Sequence, residues 1–304
     1  MKSIHIPVLS KEIVDYLTSI APKDHVPVYV DGTLGGGGHA LLIAKALKGK
    51  VTVIGMDRDM EAVNRAKTTL LPALNDNENS LILECNNFRN LDAVLDKHGV
   101  KNVDMILLDL GISSDELDNS GRGFSFQKDE PLYMTMGDPK THPFTALDIV
   151  NGWEEDDIAN VIFAYGEERY ARRIAKAIVV YRQKKAIETS MELAEIVKGG
   201  VPVLYRRGKI HPATKTFQAL RIAVNDELAS IKEGIAKAYF RLNEGGRMAV
   251  ISFHSLEDRI VKDFFKKQAK DGAIISKKPL RPSAEEVATN PRSRSAKLRF
   301  IEKR

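Results

Sequence analysis

Val28-Tyr29-Val30-Asp31-Gly32-Thr33-Leu34-Gly35-Gly36-Gly37-Gly38-His39 decides the fold. A short apolar run ends in a carboxylate, consecutive glycines follow, and Ala40-Leu41-Leu42-Ile43-Ala44-Lys45-Ala46-Leu47 goes on with helical character. Strand, glycine loop and helix open a nucleotide-binding βα unit. Glycine suits such a loop because a side chain would hold the backbone away from a ligand. Glycine-rich turns also serve as plain connectors, so the reading needs support from the chain around it.

That support lies on both sides. Upstream, Ser10 to about residue 20 reads as a helix with Ser10 at its N-cap. Downstream, Val51–Met56 reads as a strand ending at Asp57, and 59–71 as a helix with Ala62, Ala66 and Leu70 on one face. Leu81–Cys85 is a third strand, Phe88 opens a helix to about His98, and Val103–Leu108 is a fourth strand ending at Asp109. Repeated β-then-α units predict a parallel sheet with right-handed crossovers. The strands are apolar without alternation, as strands buried on both faces are. After residue 111 the rhythm stops, and from 145 to about 200 the text is helical. The α/β pattern resumes in one long amphipathic helix (Phe217, Leu220, Val224, Leu228, Ile231, Ile235, Tyr239), then strand 248–253, helix 256–268, a basic irregular stretch 271–295 and a closing strand 296–301. The expected organisation is an α/β domain of residues 1–111 and 213–304, interrupted by a helical domain of residues 112–212.

The chain has 304 residues, 43% hydrophobic and 29% charged, in the range of soluble globular proteins. No apolar run approaches the ~20 residues of a membrane-spanning helix. Met1–Pro7 lacks the apolar core of a signal peptide. The single Cys85 excludes an intramolecular disulfide and a cysteine-cluster metal site. A reducing cytoplasm is the expected location. A net charge of +5 is compatible with a polyanionic partner.

Asp31, Asp57 and Asp109 each end a strand, at the edge where open α/β sheets bind ligands. Asp57 lies where an acid accepts from ribose hydroxyls. Each alone could be a cap or turn residue; together they point to a site. Gly35-x-Gly37-x-x-Ala40 fits the loose dinucleotide pattern, so NAD is one candidate. Acids beside the loop oppose a pyrophosphate but favour the sulfonium and ammonium of S-adenosylmethionine, which makes the methyl donor the better fit. Phe88 either flanks an adenine or packs in the core. Methyl transfer is in-line displacement at a positioned carbon, so no metal is expected. His39 and His254 sit beside strand ends. Cys85 reads as a buried structural thiol rather than a nucleophile, leaving heteroatoms such as an exocyclic amine as acceptors. Basic runs at 205–211 and 290–299 either bind phosphates or form a solvated face.

Several stretches together resemble one family: His5-x-Pro7-Val8-Leu9, Asp31 to His39, Asp109-Leu110-Gly111-Ile112-Ser113-Ser114, Arg122-Gly123-Phe124-Ser125-Phe126 and Tyr165-Gly166-Glu167-Glu168. His211 to Ile222, Ser252-Phe253-His254-Ser255-Leu256-Glu257-Asp258-Arg259 and Asn290-Pro291-Arg292-Ser293-Arg294-Ser295 complete the set. In order and over nearly the whole chain, it is similar to the bacterial 16S rRNA cytosine-N4 methyltransferases (MraW or RsmH). The resemblance implies a Rossmann-like class I methyltransferase domain with an inserted helical substrate-recognition domain. It implies S-adenosylmethionine as cofactor, and as partner the 16S rRNA of the small ribosomal subunit, methylated at a cytidine of the decoding centre. Cofactor contacts carried over are Gly37, Gly38, His39, Asp57, Phe88, Asp109 and the position of Glu116. Asp109 is the candidate for orienting the amine, and His254, Arg292 and Arg294 are candidates for RNA. The protein is expected to act as a monomer or homodimer, away from membranes.

The chain departs from the family in two places. Glu116 stands where glutamine is usual. Pro131-Leu132-Tyr133-Met134-Thr135-Met136-Gly137 stands where Pro-Leu-Asp-Met-Arg-Met-Asp is common, so charged positions are neutral at Tyr133, Thr135 and Gly137. A catalytically impaired ribosome-assembly factor and an NAD-dependent oxidoreductase are therefore the rival readings.

Overall fold

A computed structural model describes residues 7–22, 24–74 and 81–304. His5 and the segment before Pro7 lie outside the described residues. The chain splits into two compact units, Met1–Gly111 with Leu228–Arg304, and Ile112–Glu227.

The first unit carries α1 (Ser10–Thr18), β1 (Val28–Asp31), α2 (Gly38–Ala46), β2 (Thr52–Asp57), α3 (Met60–Leu70), β3 (Leu81–Cys85), α4 (Leu91–Lys97) and β4 (Val103–Asp109). The second is built from α5 (Ser114–Asn119), α6 (Ala146–Gly152), α7 (Glu155–Gly166), α8 (Ala171–Arg182), α9 (Ser190–Gly200), α10 (Val203–Arg206) and α11 (Thr214–Asn225). After it come α12 (Glu227–Phe240), β5 (Leu242–Ser252), α13 (Ser255–Lys270), β6 (Ile274–Ile275), α14 (Ala284–Thr289) and β7 (Lys297–Glu302).

The seven strands form one sheet in the order β3-β2-β1-β4-β5-β7-β6. β1 to β5 are parallel, and β7 runs antiparallel to both β5 and β6. This is a doubly wound, Rossmann-like sheet, and its strand order reverses at β1, between β2 and β4. Neighbouring residues of each strand serve opposite faces. Tyr29, Met105, Leu107, Ala249 and Ile251 pack with α1, α2 and α3. Val30, Ile106, Leu108, Met248 and Val250 pack with α4, α12 and α13. Each fully buried Leu or Ile here contributes roughly 1.5–3 kcal/mol, which ties strand composition to the two-sided core. The register sets Asp31 opposite Leu107, Asp57 opposite Cys85 and Asp109 opposite Ile251. All three acids therefore finish at one edge, beside the switch point.

Five local expectations change. Ser10 is the first residue of α1 and not its cap; Leu9 holds the cap position with φ 53° and no side-chain bond. The long amphipathic helix is two helices. Asp226 takes φ 48° at the end of α11, a left-handed conformation that aspartate tolerates. The step from Val224 to Leu228 preserves the helical spacing, so the break leaves no mark in the periodicity. Phe217, Leu220 and Val224 join the core of the second unit, so the compact division falls at Glu227 and not at residue 212. β5 begins at Leu242, ahead of Gly245-Gly246, and the 271–295 stretch holds β6, α14 and a 3-10 turn over Pro291–Ser295.

The second unit has its own core, including Leu132, Met134, Ile149, Ile162, Ile174, Leu193 and Phe217. The neutralised 131–137 stretch is held inside it. Asn225 donates to the Met134 carbonyl at 2.7 Å and accepts from the Met136 N–H at 2.7 Å. Arg122 donates to the Gly137 carbonyl at 3.0 Å. Thr135 is fully buried with its hydroxyl on the same carbonyl, and Gly137 takes φ 109°. Each of these two positions suits the neutral residue it has: a buried charge would need a partner, and the backbone at Gly137 favours glycine. Among the described residues no helix is long and apolar enough to cross a membrane.

Candidate cofactor and active site

The edge above β1 and β4 is shaped first by its loop. Gly37 caps α2 at φ 79°, a conformation side chains rarely adopt. Added Cβ atoms at Gly35 and Gly36 would meet nothing within 4 Å, whereas one at Gly38 would lie 2.8 Å from Pro7 Cγ. Gly35 and Gly36 thus leave open space, and Gly38 makes room for packing. The loop is tied at both ends: Leu34 N–H donates to the Met56 carbonyl at 2.9 Å, and Gly37 N–H to the Leu34 carbonyl at 2.8 Å.

The three acids are held in this frame. Asp57 Oδ2 accepts the Gly35 N–H at 2.8 Å, and Oδ1 accepts the Asp59 N–H at 2.9 Å. A carboxylate has about four lone-pair directions, so capacity remains for ligand hydroxyls. Asp31 accepts the Tyr29 hydroxyl at 3.1 Å and the Thr33 N–H at 3.2 Å. The Thr33 hydroxyl accepts the Asp109 N–H at 2.6 Å, joining the glycine loop to the end of β4. Asp109 Oδ1 is buried with no hydrogen-bond partner among the described residues. Asp109 Oδ2 lies 3.7 Å from Nε2 of the buried His39.

Burial pushes the Asp31 carboxyl up to about 7, against the Thr33 and Tyr29 hydrogen bonds and with help from Asp57. Burial, then the charges of Asp31 and Glu257, pushes Asp109 up to about 8. Asp57 is also raised, mainly by burial. Buried like charges without a nearby cation resist ionisation. A positively charged ligand over this edge would reverse that, so the donor set fits a cation-bearing, hydroxyl-bearing cofactor and disfavours a pyrophosphate.

Phe88 takes up the core-packing role. It opens a 3-10 turn over Phe88–Asn90 at the end of β3, near the edge, and packs against the core face. A Cβ on Gly234 would lie 2.3 Å from its Cδ2, so the ring rests on α12 where only glycine fits. His254 caps α13: its Nδ1 accepts the Glu257 N–H at 3.4 Å. Glu257, fully buried, accepts the Phe253 and His254 N–H groups at 2.7 and 3.2 Å. Because β7 is antiparallel to β5 and pairs Lys297 with Ser252, the turn before it comes to the same edge. That turn carries the exposed Arg292 and Arg294. Glu116 belongs to the second unit, in the capping box of α5, where its Oε2 accepts the Ser113 N–H at 3.2 Å.

Cys85 corrects one expectation, since it is exposed and not buried. Its Sγ donates to the Arg58 carbonyl at 3.6 Å. Desolvation and the charges of Asp57 and Asp59 raise its pKa, which disfavours a thiolate nucleophile. Tyr29, Thr33, Glu257 and Gly234 were missed as site residues. Two had readable signals: Tyr29 is two positions from Asp31 on the same strand face, and His254-x-x-Glu257 has capping-box spacing.

A family model described as "MraW methylase family" matches residues 2–304. A protein named "Ribosomal RNA small subunit methyltransferase H" from Persephonella marina is 46% identical, over 98% of this chain and 99% of that one. One of the same name from Sulfurihydrogenibium sp. is 48% identical, over 97% of each. Among solved structures, an rRNA methylase from Streptococcus thermophilus matches at a TM-score of 0.44 with 13% identity, over 99% of each chain, a likeness too remote to carry weight.

Proposed function

From the premise that the chain belongs to the MraW methylase family and is an S-adenosylmethionine-dependent methyltransferase of small-subunit rRNA, we propose that it methylates the exocyclic N4 of a cytidine in the decoding centre of 16S rRNA. The observation that carries the reading is Asp109: a half-buried carboxylate at the switch point, with Oδ1 itself buried and unpartnered among the described residues.

When bound, S-adenosylmethionine supplies an electrophilic methyl group on a positively charged sulfur. Gly35 and Gly36 leave room for it, and Gly37, Gly38 and His39 form the turn it approaches. Asp57 accepts from the ribose hydroxyls, and Phe88 flanks the adenine. Asp31 and Asp109 ionise against the positive charge. Asp109 Oδ1 accepts an N–H of the cytosine amine, turning the nitrogen lone pair toward the methyl carbon; the lone pair is otherwise delocalised into the ring. As the N–C bond formed, the methyl–sulfur bond would break with its electron pair staying on sulfur as a neutral thioether, and the amine proton would pass to Asp109, which is basic enough to hold it once the positive charge is gone. Fixing amine and methyl in line supplies most of the acceleration. His254, Arg292 and Arg294 at the same edge hold the RNA, Arg292 and Arg294 by its phosphates. The unit of residues 112–227 recognises the substrate. The protein works on the small ribosomal subunit in the cytoplasm.

The test is tritium transfer from labelled S-adenosylmethionine to small subunits from a strain lacking this protein, followed by nucleoside analysis. Label in N4-methylcytidine is expected. Label in another nucleoside overturns the target. Cofactor binding without transfer favours the impaired assembly factor. Full turnover by Asp109→Asn removes the amine-orienting role.

A further inference from the structure

The stretch between α9 and α11, in the second unit, is unused by this chemistry. It is braced from within. Val201 is buried and Tyr205 half-buried, and the Tyr205 hydroxyl donates to the buried Glu168 carboxylate at 2.5 Å. Arg169 lies over the Tyr205 ring at 5.2 Å. Arg206 donates through Nε to the Val201 carbonyl at 3.1 Å and through Nη2 to the Gly199 carbonyl at 3.0 Å. Gly200 rests on α8, where an added Cβ would lie 3.1 Å from Ala177 Cβ and 3.4 Å from the Arg173 carbonyl. The Gly208 N–H donates to the Tyr205 carbonyl at 3.1 Å and turns the chain back after α10.

On this brace stand three aliphatic side chains. Val203, Leu204 and Ile210 are 59%, 84% and 60% exposed. A single exposed aliphatic is ordinary; three within eight residues on a tied-down turn mark a contact surface. Arg207 and Lys209 are exposed between them, and neither has an ion-pair partner among the described residues. α8 adds the exposed Arg173 beside Gly200. No aspartate or glutamate occurs from Ile196 to Asn225. Two copies meeting tip to tip would therefore set like charges against each other. A polyanion with apolar faces fits both parts of the surface. RNA with unstacked bases is such a polyanion: its phosphates pair with the cations and its bare base faces take apolar carbon. Leucine and isoleucine are among the side chains that insert between base steps and hold them apart.

We propose that this tip is an RNA wedge: Leu204, flanked by Val203 and Ile210, packs against an unstacked base step of the RNA substrate while Arg207 and Lys209 hold the adjoining phosphates. The inference rests on the reading that RNA is the substrate, and it gives the second unit a defined part in gripping it. An aliphatic chain on a base face reads no hydrogen-bond pattern. The wedge therefore holds the strand apart whatever its sequence, and the target base is selected elsewhere.

The first test places the photoreactive residue p-benzoylphenylalanine at Leu204 in the full chain. Irradiated with small ribosomal subunits, it is expected to attach to 16S rRNA. Attachment to a ribosomal protein or to a second copy of the chain overturns the proposal. So does attachment no stronger than from the same group at Phe240, an exposed position of the first unit. The second test measures anisotropy of a short fluorescent single-stranded RNA across a salt series. Arg207→Gln with Lys209→Gln is expected to weaken binding about tenfold and to lower the slope of log K against log salt by about 1.4, the share of two phosphate contacts. Leu204→Ser, which leaves the charge alone, is expected to weaken binding several-fold at an unchanged slope. Lys101→Gln, an exposed cation of the first unit, is the matched control. Circular dichroism and thermal melting report that each variant is folded. Wild-type affinity in both tip variants, or an equal loss in the control, overturns the proposal. Methyl transfer by the wild type to small subunits, run in parallel, separates the two readings. Transfer together with unaffected tip variants removes only the wedge, and a wild type that neither transfers nor binds RNA removes both.

Discussion

β4 begins and ends near an aspartate, and the two are opposites. Asp104, 5% exposed, accepts the Val28 N–H at 2.8 Å and the Asn243 side-chain amide at 2.7 Å, with His25 Nε2 at 3.4 Å. Asp109, at the other end, has an unpartnered Oδ1 among the described residues and feels the charges of Asp31 and Glu257. Both are withdrawn from water on one strand. A buried acid ringed by donors is structural, because its desolvation is already offset. Buried acids gathered together are costly until a cation arrives, and such places are where function is found.

The sharpest way to break this contrast is to mutate both ends. Asp109→Asn is expected to lower kcat at least about a hundredfold, as loss of a positioned acid or base does. Its melting temperature should hold near neutral pH and rise above about pH 8, where a like charge is removed. Asp104→Ala should do the reverse. It strands buried donors at a cost of about 1–3 kcal/mol each, and so several degrees in Tm, with kcat of the folded fraction unchanged. Calorimetric melting and labelled-methyl assays on the two variants check both. Equal behaviour of the two would end the distinction.

Titration sharpens it next. Asp31 and Asp109 have folded pKa values of about 7 and about 8, above the ordinary carboxylate value. A group raised on folding contributes stability that is full below its unfolded pKa, ~4, and is lost as pH rises through the folded value. Without ligand, Tm should therefore fall from about pH 5 to about pH 8.5. Affinity for S-adenosylmethionine should move the other way and tighten by about tenfold or more between about pH 6 and pH 8.5, because binding favours the ionised acids. Calorimetry in buffers of different ionisation enthalpy should register proton release. A Tm that rises over that range would mean the acids are already neutralised.

Glycine gives a third, smaller contrast. Gly36→Ala should leave the unfolding free energy within about 0.5 kcal/mol, since its Cβ meets nothing, yet weaken cofactor binding if the open space is the ligand's. Gly234→Ala should lose about 1–3 kcal/mol through overpacking against Phe88.

These pairs also show how far the sequence could be read. The sheet, its polarity and its acidic edge are written in local patterns: apolar runs, three of them closed by an aspartate. What could not be read depends on distance. Gly234 lies in a helix with no turn signal, and only the arrival of Phe88, far away in the chain, demands it. The break at Asp226 leaves the helical spacing intact and is set by Asn225, whose side chain ties Met134 and Met136. Asp104 and Asp109 are the same residue type near two ends of one strand. Their difference lies in Asn243, His25 and Glu257, which tertiary structure brings.

The smallest expected effect concerns Glu116, in the second unit. Its Oε2 accepts the Ser113 N–H, and its Oε1 lies 3.8 Å from Arg122 Nη2. Glutamine keeps an oxygen for the cap, so Glu116→Gln removes only the charge facing Arg122. That pair is long, which limits its worth to about 1 kcal/mol or less. Tm should move by no more than about 2–4 °C. Cofactor affinity decides what the charge is for. If Glu116 touches the cofactor, glutamine there should change the Kd for S-adenosylmethionine; if it serves only the cap of α5, Kd should stay put while Tm shifts slightly. Either result assigns Glu116 to one of the two kinds of acid at the ends of β4.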